Sequence, residues 1–153
     1  MTAPVGSGAE PTDTAGLEIL DRPECLRLLA KASLGRVVFT DRALPAVLPV
    51  GYTVHGTDIV IRTSPRSVLA RATRDSVVAF EADDFDAAHG TGWSVAVLGT
   101  GRAVTDPAEE AELAALPLPD WAHGARPHFI RIEATMVSGR RLRPGPARGG
   151  PRT

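Results

Sequence analysis

The densest chemistry in the sequence lies in Arg62-Thr63-Ser64-Pro65-Arg66-Ser67. A phosphate group needs positive charge, hydroxyl donors and free backbone N–H groups, and a helix N-terminus supplies the last of these. Arg62 and Arg66 carry guanidinium forks, while Thr63, Ser64 and Ser67 carry hydroxyls. Pro65 stands where a helix would start. The same residues also read as a surface strand end running into a capped helix, with both arginines solvated. Pro49, Val50 and Gly51 form a second candidate, because glycine lets backbone approach a flat ring and proline suits an edge strand. A barrel strand with an edge proline and a bulge fits those three residues equally well. Trp93 can cover a ligand or close an interface between chains, although core packing alone also explains it. Tyr52, the only tyrosine, either reaches a ligand or fills the core.

Other reactive residue types form no recognisable constellation. His55, His89, His123 and His128 match no metal-ligand spacing, and the single Cys25 offers no thiolate set, so no metal site is expected. Each histidine sits in or beside a predicted turn or loop, where solvent exposure is expected. Cys25 falls on a predicted helix near Leu28 and Leu29 and reads as a buried structural thiol. Glu81, Asp83, Asp84 and Asp86 lack the glycine and closing glutamate of a calcium loop and read as a solvated acidic turn. Arg140, Arg141 and Arg143 make a small basic patch without interleaved aromatics, so no nucleic-acid partner is expected.

The elements that must position these residues are short. Asp21 and Glu24 have capping-box spacing, Pro23 suits a first helical turn, and the helix they open is expected to stop at Gly35. β-Branched runs follow at 36–40, 46–54 and 59–62, broken by turns at Asp41-Arg42 and at His55-Gly56-Thr57-Asp58. A short helix is expected over 65–74 and a fourth strand over 77–81. A long strand over 93–104 is bent or bulged by its glycines, a helix covers 107–116, and a last strand runs over 129–142. Six or seven strands with few helices between them point to an antiparallel barrel of mainly β class.

The chain of 153 residues is sized for one domain. Residues 1–16 and 144–153 are rich in Pro and Gly and read as a flexible arm and tail around a domain at 17–143. A net charge of −1 offers no field for nucleic acid or an anionic membrane. No apolar run approaches the about 20 residues of a membrane span, and no secretory signal opens the chain, so a cytoplasmic location is expected. The lone cysteine agrees with a reducing compartment. Lys31 is the only lysine among many arginines, a bias read as that of a high-GC bacterial genome.

The order of GRVVFT, ALPAVLPVGYTV, DIVIRTSPRSVLA, SVVAFEADDFD, GWSVAVLGTGRAV and HFIRIEATMVSGRRL resembles the FMN-binding split barrels of the pyridoxamine 5'-phosphate oxidase superfamily. The likeness covers roughly residues 18–142 and rests on several modest motifs in the right order. It implies a six-stranded antiparallel split β-barrel and a two-fold homodimer with FMN held between the subunits. By the same resemblance, the phosphate would sit on Arg62, Thr63, Ser64, Arg66 and Ser67, and the ring on Pro49, Val50, Gly51 and Tyr52. Trp93 and Ser94 would approach from the second subunit. Related chains commonly carry lysine where this one has Val68, and Arg66 or Arg71 is left to supply that charge. The resemblance further implies hydride or electron transfer at a flavin on a small-molecule substrate, with deazaflavin or haem as alternative cofactors. A dimeric cofactor carrier without turnover is the other function it allows. No arginine–histidine pair matches the substrate pocket of the pyridoxamine phosphate oxidases proper.

Overall fold

A computed structural model describes residues 11–118 and 127–145. The elements run β1 (Glu18–Leu20), α1 (Arg22–Leu29), β2 (Leu34–Asp41), β3 (Leu44–His55), β4 (Asp58–Thr63), α2 (Val68–Thr73), β5 (Val77–Asp86), β6 (Thr91–Ala103), α3 (Pro107–Ala114), β7 (His128–Ile132) and β8 (Met136–Leu142). Alternation builds the wall. Val37 and Phe39 on β2, Val78, Phe80 and Ala82 on β5, and Val95 and Val97 on β6 point inward and are buried. On β4 and β7, Ile59, Ile61, Ile130 and Ile132 complete the same core.

Six strands close the barrel in the order β6-β5-β2-β3-β4-β7, with β7 pairing back onto β6, every pairing antiparallel. The expected barrel is therefore present. β8 and β1 extend the sheet beyond β6. β6 serves two partners in succession: residues 92–98 pair with β8 and residues 101–103 with β7. The exchange happens at Gly99, where a Cβ would stand 1.6 Å from the Glu133 carbonyl oxygen. Only a residue without Cβ lets the β7–β8 connection cross so closely. Backbone bonds from Glu133 to Thr100 (3.3 Å) and Thr135 to Leu98 (3.1 Å) fasten that crossing.

Several local expectations give way to tertiary pairing. The run 129–142 is two strands, because the chain leaves β6 at Glu133 and rejoins it at Met136. Gly35 does not stop α1, which ends at Leu29; it lies within β2, where the Phe80 ring occupies the space a Cβ would need. Asp83, Asp84 and Asp86 are not a turn. They pair with Ser94, Trp93 and Thr91 along the β5–β6 hairpin, whose ladder overrides the poor strand propensity of aspartate. The helix expected from Pro65 starts only at Val68, with Ser67 as its N-cap. β1 was too short to read from pattern. Asp21 does cap α1, accepting from the Glu24 N–H at 3.0 Å.

Helix α3 covers a second cluster of Val60, Val104, Leu113 and Phe129. Arg131 clamps it to the barrel, donating to Glu109 and Asp58 at 3.1 Å each and meeting His55 Nδ1 at 3.0 Å. His55 Nε2 in turn lies 3.0 Å from Glu112, so this histidine is engaged and half-buried instead of solvated. His128 also departs from expectation: it opens β7, and its Nε2 is buried without a hydrogen bond. His89 is exposed and pairs with Asp86, while His123 lies outside the described residues. So do 1–10 of the expected arm and 146–153 of the expected tail. Within the described part of the arm, Thr12 bridges to Glu18 and Asp13 accepts from Arg140 Nε at 2.9 Å.

Tyr52 is core. It is 1% exposed, its ring meets Phe80 edge-on at 4.7 Å, and its hydroxyl donates to the Leu29 carbonyl at 2.6 Å. That carbonyl belongs to the last turn of α1 and has no partner further along the helix. Tyr52→Phe is expected to lower unfolding free energy by about 1–2 kcal/mol, measured by urea denaturation. Gly99→Ala is expected to cost about 3 kcal/mol or more in the same assay, since backbone at the β7–β8 crossing must move. A loss below about 1 kcal/mol would mean the crossing is slack.

Candidate functional site

The Arg62–Ser67 segment leaves the end of β4 and turns into α2. Its shape is set internally: Thr63 Oγ1 donates to Ser67 Oγ at 3.0 Å, and Ser67 Oγ accepts from the Ala70 N–H at 3.0 Å. The Ser67 N–H donates to the Ser64 carbonyl at 3.1 Å. Two of the three hydroxyls thus hold the loop, and Ser64 is exposed. Among the described residues, the Arg62 and Arg66 guanidiniums form no ion pair, whereas Arg71 is committed to Asp41 at 3.0 Å. Arg71 is therefore less free than Arg62 or Arg66 to meet an anion. Val68, at the first position of α2, is exposed and adds no charge. Thr63 faces His128 across the β4–β7 ladder. Burial, reinforced by the Arg74 charge, holds the His128 pKa below its ordinary value and keeps the ring neutral.

Beside this segment the barrel is open. The β3–β4 ladder runs from His55↔Asp58 to Tyr52↔Ile61 and stops. Beyond that rung β3 follows β2, with Leu34 opposite Gly51, while β4 follows β7 to Thr63↔His128. Val50 and Gly51 on one side and Arg62 and Thr63 on the other thus border a split, each strand with one backbone edge unpaired between them. Pro49 is exposed at this edge and Gly51 half-exposed, while Val50 points inward and is buried. Proline suits such an edge because no N–H is left without a partner. Tyr52, expected at the ring, has its side chain in the core. Burial, with a smaller push from the Glu81 charge, raises its pKa well above the usual phenol value, so the hydroxyl stays protonated and engaged with Leu29.

Trp93 and Ser94 lie elsewhere in the chain. Trp93 is half-buried and lines a cleft of about 600 Å³ with Asp84, Asp86, Arg141, Leu142 and Pro144. Arg141 and Arg143 beside it are neutralised, by Glu24 at 2.7 Å and Glu18 at 2.8 Å. Gly101, near the far end of β6, packs on Thr73 of α2. At a strand rise of about 3.3 Å per residue, up to roughly 25 Å of β6 separates Trp93 from that contact. At that end Ala103 pairs with Ile130, whose neighbour Phe129 pairs with Arg62, so within one chain the arginine segment lies beyond the end of β6 opposite to Trp93.

One polar group escaped the sequence reading. Arg36, Glu81, Asp83 and Ser94 meet on the outward face of the sheet. Arg36 NH1 donates to Glu81 and to Asp83 at 3.1 Å each, and Ser94 Oγ donates to the second Glu81 oxygen at 3.1 Å. Burial and the Asp83 carboxylate together raise the Glu81 pKa. Outward parity on adjacent strands was available as a signal, but it needed the β2–β5 and β5–β6 registers to become a cluster. No group of three or more ligands suited to a metal occurs among the described residues. No described helix is long and apolar enough to cross a membrane.

Comparison with known proteins gives this geometry a family. The uncharacterized protein Rv0080 of Mycobacterium tuberculosis is 40% identical over 145 residues, covering 92% of this chain and 95% of that one. A solved structure described as the FAD binding protein from Mycobacterium smegmatis is 37% identical. It superposes with a TM-score of 0.74 over 83% of this chain and 99% of its own. A second, described as the FAD and heme binding protein from Mycobacterium smegmatis, shares the fold at 19% identity, with a TM-score of 0.63 over 82% of this chain and 72% of its own. A family model described as pyridoxamine 5'-phosphate oxidase matches residues 21–141, which take in all six barrel strands, and the chain belongs to that family.

Proposed function

We propose that the chain binds a flavin nucleotide in a groove completed by a second copy, and that hydride or electron transfer to a small-molecule substrate takes place there. The observation that carries this reading is the pair of uncommitted guanidiniums, Arg62 and Arg66, beside the split between β3 and β4. A phosphate would take bidentate bonds from either arginine and a further bond from Ser64. The edge at Pro49 and Gly51 would lie along the ring, and Trp93 and Ser94 would reach it from the other chain. The flavin supplies the redox chemistry when bound; these residues bind and orient it and exclude water. FMN is the smaller flavin nucleotide that offers the arginines a phosphate, and the relative described as FAD binding makes FAD the second ligand to test. The lone, buried Cys25 fits a reducing cytoplasm.

The homodimer is supported by two features. The parts of the site lie at opposite ends of β6, so one chain alone does not bring them together. The outward sheet face is also apolar across five strands: Val47, Val38, Ala79, Leu98 and Met136 are successive cross-strand neighbours, and Val47 and Met136 are each more than half exposed. Such a row is costly to leave in water and suits a self-complementary contact. Carriage without turnover is the second reading: Val68 opens α2 exposed and uncharged, so the helix start adds no cation of its own to the site.

The test is an absorbance spectrum of the purified chain after excess FMN, or FAD in parallel, and desalting. A retained flavin band is expected, with Arg62→Ala and Arg66→Ala each weakening binding about ten- to hundredfold. A folded dimer that retains neither nucleotide overturns the proposal. Reduction of the bound flavin by a nicotinamide or deazaflavin donor, faster than that of free FMN, marks an enzyme; an unaltered rate marks a carrier.

A further inference from the structure

The Arg36–Glu81–Asp83–Ser94 cluster borders the apolar row of the outward face. Pro49, Arg36, Glu81, Ala96 and Ser138 form one cross-strand row, next to the row of Val47, Val38, Ala79, Leu98 and Met136. The Glu81 side chain is already 27% exposed and that of Asp83 43% exposed. Each chain offers two carboxylates and one guanidinium here, and that guanidinium is shared through a single nitrogen.

Among the described residues the surroundings supply no second cation. From β8, Arg140 lies opposite Ser94 but is held by Asp13 and by the Gly139 carbonyl. From β3, the facing residues Val47, Pro49 and Gly51 carry no charge. Asp84 belongs to the cleft beside Trp93. Beneath the sheet the Tyr52 hydroxyl is neutral and bonded to Leu29. Pressing two such faces together would gather four carboxylates around two guanidiniums in a region from which water is excluded. An unbalanced buried charge is costly, and a carboxylate in that position takes up a proton instead.

We propose that this face meets a second copy with a proton taken from solvent onto the Glu81–Asp83 pair of each chain, so that dimer association strengthens as pH falls. The inference rests on the homodimer reading above. In its sign, burial raises the affinity of the pair for protons, so the dimer binds more protons than two monomers do. Association is then complete below the carboxyl pKa of the free chain and weakens as pH rises through the higher pKa in the dimer. The already raised pKa of Glu81 in the single chain points the same way.

Sedimentation equilibrium of the full chain from about pH 5 to about pH 8 tests this. The dimer dissociation constant is expected to rise by at least about tenfold over that span. Glu81→Gln, which keeps an oxygen for Ser94 and removes the charge, is expected to flatten the dependence and hold the dimer tight at the upper end. Asp83→Asn serves as the second variant if the first folds poorly. A dimer whose dissociation constant is flat with pH overturns the proton linkage and leaves the dimer standing. An unchanged slope in both variants does the same. A monomer at every pH removes both the linkage and the dimer reading.

Discussion

The architecture depends on one strand changing partners. β6 pairs first with β8 and then with β7, and the switch is possible because Gly99 lets the β7–β8 connection pass against its backbone. With β6 bound only to β8, the sheet would stay open and Ile130 and Ile132 would lose the core they fill. Bound only to β7, it would close a barrel but leave α1, packed on β8 through Cys25 and Gly139, without a floor. The exchange creates both the closed barrel and the flange outside it.

A closed barrel normally has no edge to offer, and this one makes an edge by splitting β3 between two neighbours. That division puts Pro49 and Gly51 on one lip and Arg62 and Thr63 on the other. The loop after Thr63 is stiffened by its own hydroxyls, so Arg62 and Arg66 project from a fixed frame. Rigid walls with a few free charges at an opening are what a preorganised ligand site requires. On the far side, Arg131 and its three partners hold α3 down, which keeps Val60 of the same β4 covered.

Much of this could be read from the sequence, because the inward positions follow strand alternation closely. The barrel class, the turns at Asp41-Arg42 and Gly56-Thr57 and the cap at Asp21 all depend on residues within a few positions of one another. What stayed hidden depends on register. The acidic run became strand because β6 lies beside it; Gly35 served the Phe80 ring and not a helix end; Tyr52 turned inward to reach Leu29. The site was legible as residue types but not as an arrangement. The resemblance already assigned Trp93 to a second subunit, and the ladder supplies the reason within one chain: Trp93 and the arginines lie toward opposite ends of β6.

That two-ended layout has a consequence for inheritance. If each groove takes its arginines from one chain and its tryptophan from the other, a copy damaged at Arg62 and a copy damaged at Trp93 would complement each other. Mixed pairs would have one groove with both lesions and one with neither. Two copies damaged at the same end would never rescue one another. In a cell carrying both damaged alleles, the end of the groove that each lesion strikes, more than its severity, would decide whether the two complement.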